Sequence, residues 1–301
     1  MLVREELERR SNLIETLTRK LSRDKIQELR SKSLLIMDFI RNSSKVITTT
    51  SDFYESPARY ASIIFSSITD KDVRYVDPED LMYYIAPYDE GREPSIIIYS
   101  SSEGLHNLRL LTDQLIWTNH RVLVVTQSKL GEDLEYRLSS SVVVDLNTDE
   151  WLLHSHIITS LTAGELAPSK SLRGVRITEE LTSLNAEVLE DLLRTYDKVL
   201  KELRRFITEP FITTASPSMW GVAEGLAYER LLNTYLVRPE AVSKHVLKIK
   251  KVLVVSTDVE EYSLKFVKGL SVTQGIEVFP LNLRTDPLTS PIYGLLLIKF
   301  L

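Results

Sequence analysis

The chain contains no cysteine, only 10 glycines in 301 residues, and no long apolar run. The first absence removes disulfide staples, thiolate metal sites and cysteine nucleophiles together, and it suits a reducing compartment. The second bears on any loop that must let its backbone approach a ligand closely, because no glycine precedes Gly91. As to the third, a bilayer-spanning helix needs about 20 consecutive apolar residues. The N-terminus is charged from Arg4 onward and does not read as a signal peptide. A cytoplasmic location is the expectation. Excess positive charge is also missing: 37 basic against 42 acidic residues give a net charge of −5. Such a balance offers no general attraction to nucleic acid or to an anionic membrane, so neither is an expected partner. The densest basic stretch, Lys244, Lys248, Lys250 and Lys251, reads as a solvated turn leading into a buried strand.

What the sequence does contain is an ordinary globular balance, 43% hydrophobic and 26% charged residues, in a chain long enough for two domains. Leu7, Ile14, Leu17 and Leu21 recur at helical spacing, as do Ile26, Leu29, Leu35, Ile36 and Phe39, predicting two helices. Short apolar runs then alternate with amphipathic stretches. The runs 45–49, 95–100, 121–126 and 141–145 predict strands. Helices are expected between them near 54–69, 78–85, 104–118 and 131–138, with another after 148. Strands that are apolar on both faces and alternate with helices imply a parallel sheet covered on both sides. The polar stretch from Gly164 to Thr182, with Pro168, Ser169, Lys170, Ser171 and Gly174, reads as a linker. A long helix near 184–207 follows, and the pattern restarts with strands at 211–214, 251–256 and 275–280. Helices are expected near 218–235, 258–270 and 290–301. The expected organisation is therefore N-terminal helices over 1–42, a first α/β subdomain over 43–165, a linker over 166–182 and a second subdomain over 183–301.

The two halves echo one another. Val46-Ile47-Thr48-Thr49-Thr50-Ser51 reappears as Phe211-Ile212-Thr213-Thr214-Ala215-Ser216, and Ile96-Ile97-Ile98-Tyr99-Ser100-Ser101 has a counterpart in Leu253-Val254-Val255-Ser256-Thr257. Two such units at similar spacing suggest an internal duplication. Ligands of open parallel sheets sit beyond the carboxyl ends of the strands, where helix N-termini offer unpaired N–H groups to anions. The Ser100, Ser101, Ser102 run ahead of Gly104 lies at such a position. It suits a phosphate held by hydroxyl and backbone donors, and equally a serine cap on an ordinary helix. The residues alone leave both open.

The run Ile96-Ile97-Ile98-Tyr99-Ser100-Ser101-Ser102-Glu103-Gly104, then a helix, then Arg121-Val122-Leu123-Val124-Val125-Thr126, resembles the central signature of the sugar isomerase (SIS) family. That signature is a strand, S-x-S-G-x-T-x-E, a helix and a second strand ending in threonine. Ser218-Met219-Trp220-Gly221-Val222-Ala223, Pro239-Glu240-Ala241 and Leu288-Thr289-Ser290-Pro291 are similar to the second half of archaeal bifunctional phosphoglucose/phosphomannose isomerases. The resemblance covers roughly residues 43–301 in element order and implies two Rossmann-like subdomains. It also implies a homodimer, a sugar phosphate as ligand and aldose–ketose isomerisation of hexose 6-phosphates. No metal or redox cofactor is implied, since a carboxylate moves the proton through an enediol.

Carried over residue by residue, the resemblance places the phosphate site at Thr50, Ser51, Ser100, Ser101, Ser102, Gly104 and Ser218, with Ser290 near the sugar. The matches are incomplete. The family's glycine-rich first loop reads Thr48-Thr49-Thr50-Ser51-Asp52 here, and Asp52 repels a phosphate unless it points away. In the central signature the first serine becomes Tyr99, the second is kept as Ser101, the glycine becomes Ser102, the threonine Gly104 and the glutamate His106. A slip of one residue instead pairs Ser100 with Ser102. Each lost hydrogen bond to a charged group is worth about 1.5–3 kcal/mol, so two losses weaken binding roughly a hundredfold or more. The proton-transfer glutamate falls on Leu232, beside a retained Asn233. Glu229, about 4.5 Å earlier along a helix axis and on the same face, is the candidate displaced base. The ring-opening histidine falls near Ser243, and His245 is the nearby candidate. Each has an ordinary alternative: an ion-paired surface glutamate and a strand-edge histidine.

No G-x-S-x-G elbow, Walker loop, H-E-x-x-H or dinucleotide fingerprint is present. His154 and His156 point to different sides of a helix and do not read as metal ligands. Trp117, Trp151 and Trp220 read as core or interface residues, and the apolar end from Leu295 to Leu301 as a buried or interface helix. Two functional readings remain: a hexose-phosphate isomerase using displaced residues, and a non-catalytic sugar-phosphate sensor or dimerising partner.

Overall fold

The computed structural model describes residues 2–89, 94–168, 171–230 and 232–301. The chain divides into two compact units, Ile26–Leu181 and a second formed by Met1–Lys25 with Thr182–Leu301. Each is built on one parallel sheet with helices against it. Two long N-terminal helices, Leu2–Lys20 and Arg23–Arg41, are present, and they belong to different units. The first meets the Ala186–Phe206 helix, where Arg10 pairs with Asp197 at 2.8 Å. The second lies in the first-sheet unit, where Arg30 pairs with Glu165 at 2.8 Å.

The first sheet has the order β2-β1-β3-β4-β5, with β1 at Lys45–Thr50, β2 at Asp72–Tyr75, β3 at Ser95–Ser100, β4 at Val122–Thr126 and β5 at Val142–Asp145. Every pairing is parallel. Consecutive isoleucines 96, 97 and 98 are all fully buried, the signature of a strand covered on both faces. One cover is the Trp151–Leu166 helix, apolar all round and buried from Trp151 to Ala163. Two of its hydroxyls are satisfied locally: Thr159 and Ser160 donate to carbonyls four residues back and also meet the hydroxyls of Tyr99 and Tyr60.

The second sheet has the order β7-β6-β8-β9, with β6 at Phe211–Ala215, β7 at Thr234–Leu236, β8 at Lys251–Thr257 and β9 at Glu277–Leu283. It too is parallel throughout. Strand β9 is an edge strand, the place where a proline such as Pro280 is tolerated, since no outer neighbour needs its missing N–H. The preceding helix, Lys265–Gln274, stops at Gly275, whose φ of +61° is the left-handed C-cap conformation. The terminal helix Ser290–Ile298 is buried along nearly its whole length within this unit.

The stretch read as a linker is largely helical. Gly164 falls inside the Trp151–Leu166 helix, and Leu172–Thr182 forms a helix of its own. That helix buries Gly174, Ile177 and Leu181 on one stripe, which anchors it despite the polar composition. Ser169 and Lys170 lie outside the described residues. The helix expected over 218–235 also ends early. Trp220–Glu224 is α-helical, Gly225–Glu229 is a single π-turn, and the chain re-enters the sheet as β7.

Candidate functional site

At the carboxyl edge of the first sheet, β1, β3 and β4 end in Thr50, Ser100 and Thr126, all buried. The hydroxyls expected to receive a ligand are tied to one another. Ser51 Oγ donates to Ser100 Oγ at 2.8 Å, and Ser100 Oγ lies 3.2 Å from the Ser101 carbonyl. Ser101 Oγ accepts the Glu103 N–H at 3.2 Å, so the cap that the serine run also allowed is formed. Ser102 is exposed, with its N–H and hydroxyl both on Gln127 Oε1 at 3.0 and 3.2 Å.

Among these groups sits a carboxylate. Asp52 accepts the Ser101 N–H at 2.7 Å and the Tyr54 N–H at 2.8 Å. The Thr50 hydroxyl lies 3.1 Å from Asp52 Oδ1 and 3.2 Å from the Tyr99 carbonyl, and can donate to one at a time. Burial pushes the Asp52 carboxyl above the usual carboxylate range, while hydrogen bonds from Ser101, Tyr54 and Thr50 pull it back. Gly104 makes room for it. A Cβ there falls 2.5 Å from Ser51 Oγ and 2.8 Å from Asp52 Oδ2. Tyr99, which replaces the first signature serine, is fully buried with its hydroxyl 2.8 Å from Thr159 Oγ1 of the covering helix.

The second sheet carries a matching arrangement after β6 and β8. Glu260 accepts the Ser216 hydroxyl at 2.8 Å, the Ser218 N–H at 3.1 Å and, more closely, the Ser218 hydroxyl. The Thr257 hydroxyl stands 3.3 Å from the same carboxylate. Ser216 and Ser218 are buried. Glu260 was not visible as a site residue in the sequence, because a lone glutamate after a strand fits no motif. The available signal was indirect: Ser216 and Ser218 stand beside a strand end as donors without an acceptor in the motif. Gln127, which follows Thr126 at the end of β4, was missed likewise.

The catalytic candidates are placed apart from these clusters. Glu229 ends the π-turn and pairs with Lys299 at 2.8 Å, both side chains only 13% exposed. Because the helix stops there, Glu229 and Leu232 do not share a helix face, and Glu229 does not take the displaced position that helical spacing gave it. His245 is exposed at the end of the short helix Val242–His245, not at a strand edge. Ser290 is buried at the first turn of the terminal helix, its hydroxyl 3.3 Å from the Pro287 carbonyl.

His154 and His156 are held inside the fold. His154 Nδ1 lies 2.6 Å from Thr148 Oγ1 and His156 Nδ1 2.7 Å from the Leu152 carbonyl. His156 is fully buried beside the Tyr60 ring, and burial lowers its pKa to about 4. No three His, Cys, Asp or Glu side chains among the described residues are grouped to hold a metal ion. Lys251 opens β8 and pairs with Glu209 at 2.9 Å. Of the tryptophans Trp151 is buried, Trp220 is half-buried and Trp117 is exposed. No described helix is long and apolar enough to cross a membrane.

No family model matches the sequence, and no curated protein matches it. Solved structures match the fold. A candidate phosphosugar isomerase from Bacillus subtilis superposes with a TM-score of 0.66 at 12% identity, covering 93% of each chain. The C-terminal domain of glucosamine-fructose-6-phosphate aminotransferase from Francisella tularensis gives 0.58 at 10% identity over 92% of each chain. Glucosamine-6-phosphate deaminase from Thermotoga maritima gives 0.56 at 14% identity, covering 92% of this chain and 95% of that one. This chain therefore has the fold that these proteins share, α/β units each built on one parallel sheet flanked by helices.

Proposed function

We propose that this chain is a non-catalytic member of the sugar isomerase family. It keeps a carbohydrate-derivative-binding fold related to phosphoglucose/phosphomannose isomerases and has lost aldose–ketose isomerisation. The observation that carries this reading is the state of the proton-transfer machinery. A base for the enediol step must reach a substrate carbon and exchange its proton freely. Glu229 is instead held by the Lys299 ammonium at 2.8 Å with both groups mostly buried, and the position where the family carries its glutamate is Leu232. His245, the ring-opening candidate, is exposed at the end of a four-residue helix.

The test is direct. Purified protein incubated with glucose 6-phosphate or mannose 6-phosphate is expected to give no fructose 6-phosphate above the uncatalysed background. Robust turnover that Glu229→Gln abolishes overturns the reading. A second reading, a sugar-phosphate sensor, rests on the shared fold alone, because the hydroxyl and amide donors at both sheet edges are engaged by Asp52 and Glu260. A thermal-shift series with hexose phosphates tests it, because a ligand selective for the native state raises the melting temperature. The homodimer that the family implies is checked by light scattering; a monomer removes the dimerising role.

A further inference from the structure

We infer that each half of this protein carries its own anion at the strand ends where an open parallel sheet takes an external one: Asp52 in the first half, at the phosphate position of the sugar isomerase reading, and Glu260 at the corresponding place in the second. The inference rests on the family reading above for where the phosphate goes, and on two independent clusters for what occupies that place. In the first half the backbone N–H groups of Ser101 and Tyr54 and the hydroxyl of Thr50 converge on Asp52. In the second, the hydroxyls of Ser216, Ser218 and Thr257 and the N–H of Ser218 converge on Glu260. A phosphate oxygen needs donors of this kind, amide N–H and hydroxyl groups at a strand's carboxyl end.

Two features separate an occupied anion site from an incidental hydrogen bond. The first is shape. Gly104 stands where the family signature has a threonine, and a Cβ at that position falls 2.8 Å from Asp52 Oδ2. The missing side chain leaves room for the carboxylate to reach the Ser101 N–H. The second is recurrence with different chain routing. Asp52 follows β1 and reaches the loop after β3, while Glu260 follows β8 and reaches the loop after β6. Strands β1 and β3 are neighbours, and so are β6 and β8. Each crevice between the paired strand ends is thus closed by one carboxylate, supplied from opposite sides in the two halves.

Like charges a few ångströms apart repel strongly where water is excluded. A phosphate monoester is therefore kept out of both crevices while the carboxylates are in place, and an empty set of donors accepts one once they are removed. The experiment compares wild type with Asp52→Ala, Asp52→Asn, Glu260→Ala and Glu260→Gln. Inorganic phosphate and glucose 6-phosphate are titrated calorimetrically at constant ionic strength. The alanine variants are expected to bind phosphate about tenfold or more tighter than wild type. Phosphate is also expected to restore melting temperature that the alanine variants lose. The isosteric amides, which keep the space filled and remove the charge, are expected to gain less.

Should an alanine variant not fold, its amide partner and the other half carry the test. A folded amide variant that phosphate stabilises no more than wild type, in both halves, overturns the inference. Wild-type protein that binds phosphate as tightly as the alanine variants overturns it as well. Neither outcome touches the non-catalytic reading, which stands or falls on turnover.

Discussion

In the first half the carboxylate hangs on the loop after β1 and meets an amide on the loop after β3; in the second it hangs on the loop after β8 and meets two serines after β6. The residues differ, the direction of the reach differs, and the proportion of amide to hydroxyl donors differs. What the halves share is one negative charge set among convergent donors at the same place in a parallel sheet. The two sheet units therefore repeat an electrostatic arrangement more faithfully than they repeat a sequence motif. Buried N–H and hydroxyl groups are stabilised by an acceptor, and in each half a carboxylate of the chain supplies one.

The comparison can be broken most severely at Gly104. Gly104→Thr places a side chain against Ser51 and Asp52 and is expected to lower stability by about 2–3 kcal/mol in urea denaturation. The same substitution in an Asp52→Ala background should cost markedly less, and equal losses in both backgrounds would remove the spatial coupling. Next in size, Glu260→Ala orphans two serines and is expected to cost about 2 kcal/mol. Hydrogen exchange resolved along the chain should confine that loss to the second half. Asp52→Asn should cost less, about 1 kcal/mol, because burial already works against its charge.

A smaller contrast comes from acid. His156 is buried in the first half with a pKa lowered to about 4, whereas His245 in the second half is exposed. The unfolded state takes up the His156 proton near pH 6.5 and the folded state only near pH 4, so stability falls as pH drops through that window. The loss should reach about 1 kcal/mol by pH 5.5 and be absent in His156→Gln. On activity the expected effect is nil: Lys299→Met leaves Glu229 without the Lys299 ammonium, and about 1–2 kcal/mol of stability should go with no isomerase activity gained. Turnover appearing in that variant would reinstate Glu229 as a base.

Much of the architecture was legible because strands buried on both faces are written as uninterrupted apolar runs, such as Ile96 to Tyr99. Edge strands were not. Asp72-Val73-Arg74-Tyr75 and Thr234-Tyr235-Leu236 carry too few apolar residues to stand out, and their pairing with β1 and β6 is a tertiary fact. The Leu172–Thr182 helix was hidden by neighbouring Pro168 and Gly174, which punctuate loops in most contexts and here flank or pack a helix. At the site, sequence located the serines and flagged Asp52 as repulsive, but not that Asp52 points straight at the Ser101 amide. Glu260 was invisible for the same reason: the partner of a long-range hydrogen bond has no local spacing. The π-turn at Gly225–Glu229 likewise shifted Glu229 off the face that helical periodicity assigned to it.

Pro280 has a consequence for how copies of this protein could associate. It lies exposed in the middle of the edge strand β9, and it interrupts the row of amides that the open side of the second sheet presents. A further strand laid along that edge would find no donor there and would meet a pyrrolidine ring instead. Joining two copies into one continuous sheet across β9 is therefore disfavoured, and an association on that side of the second sheet would be built from side chains and not from strand pairing.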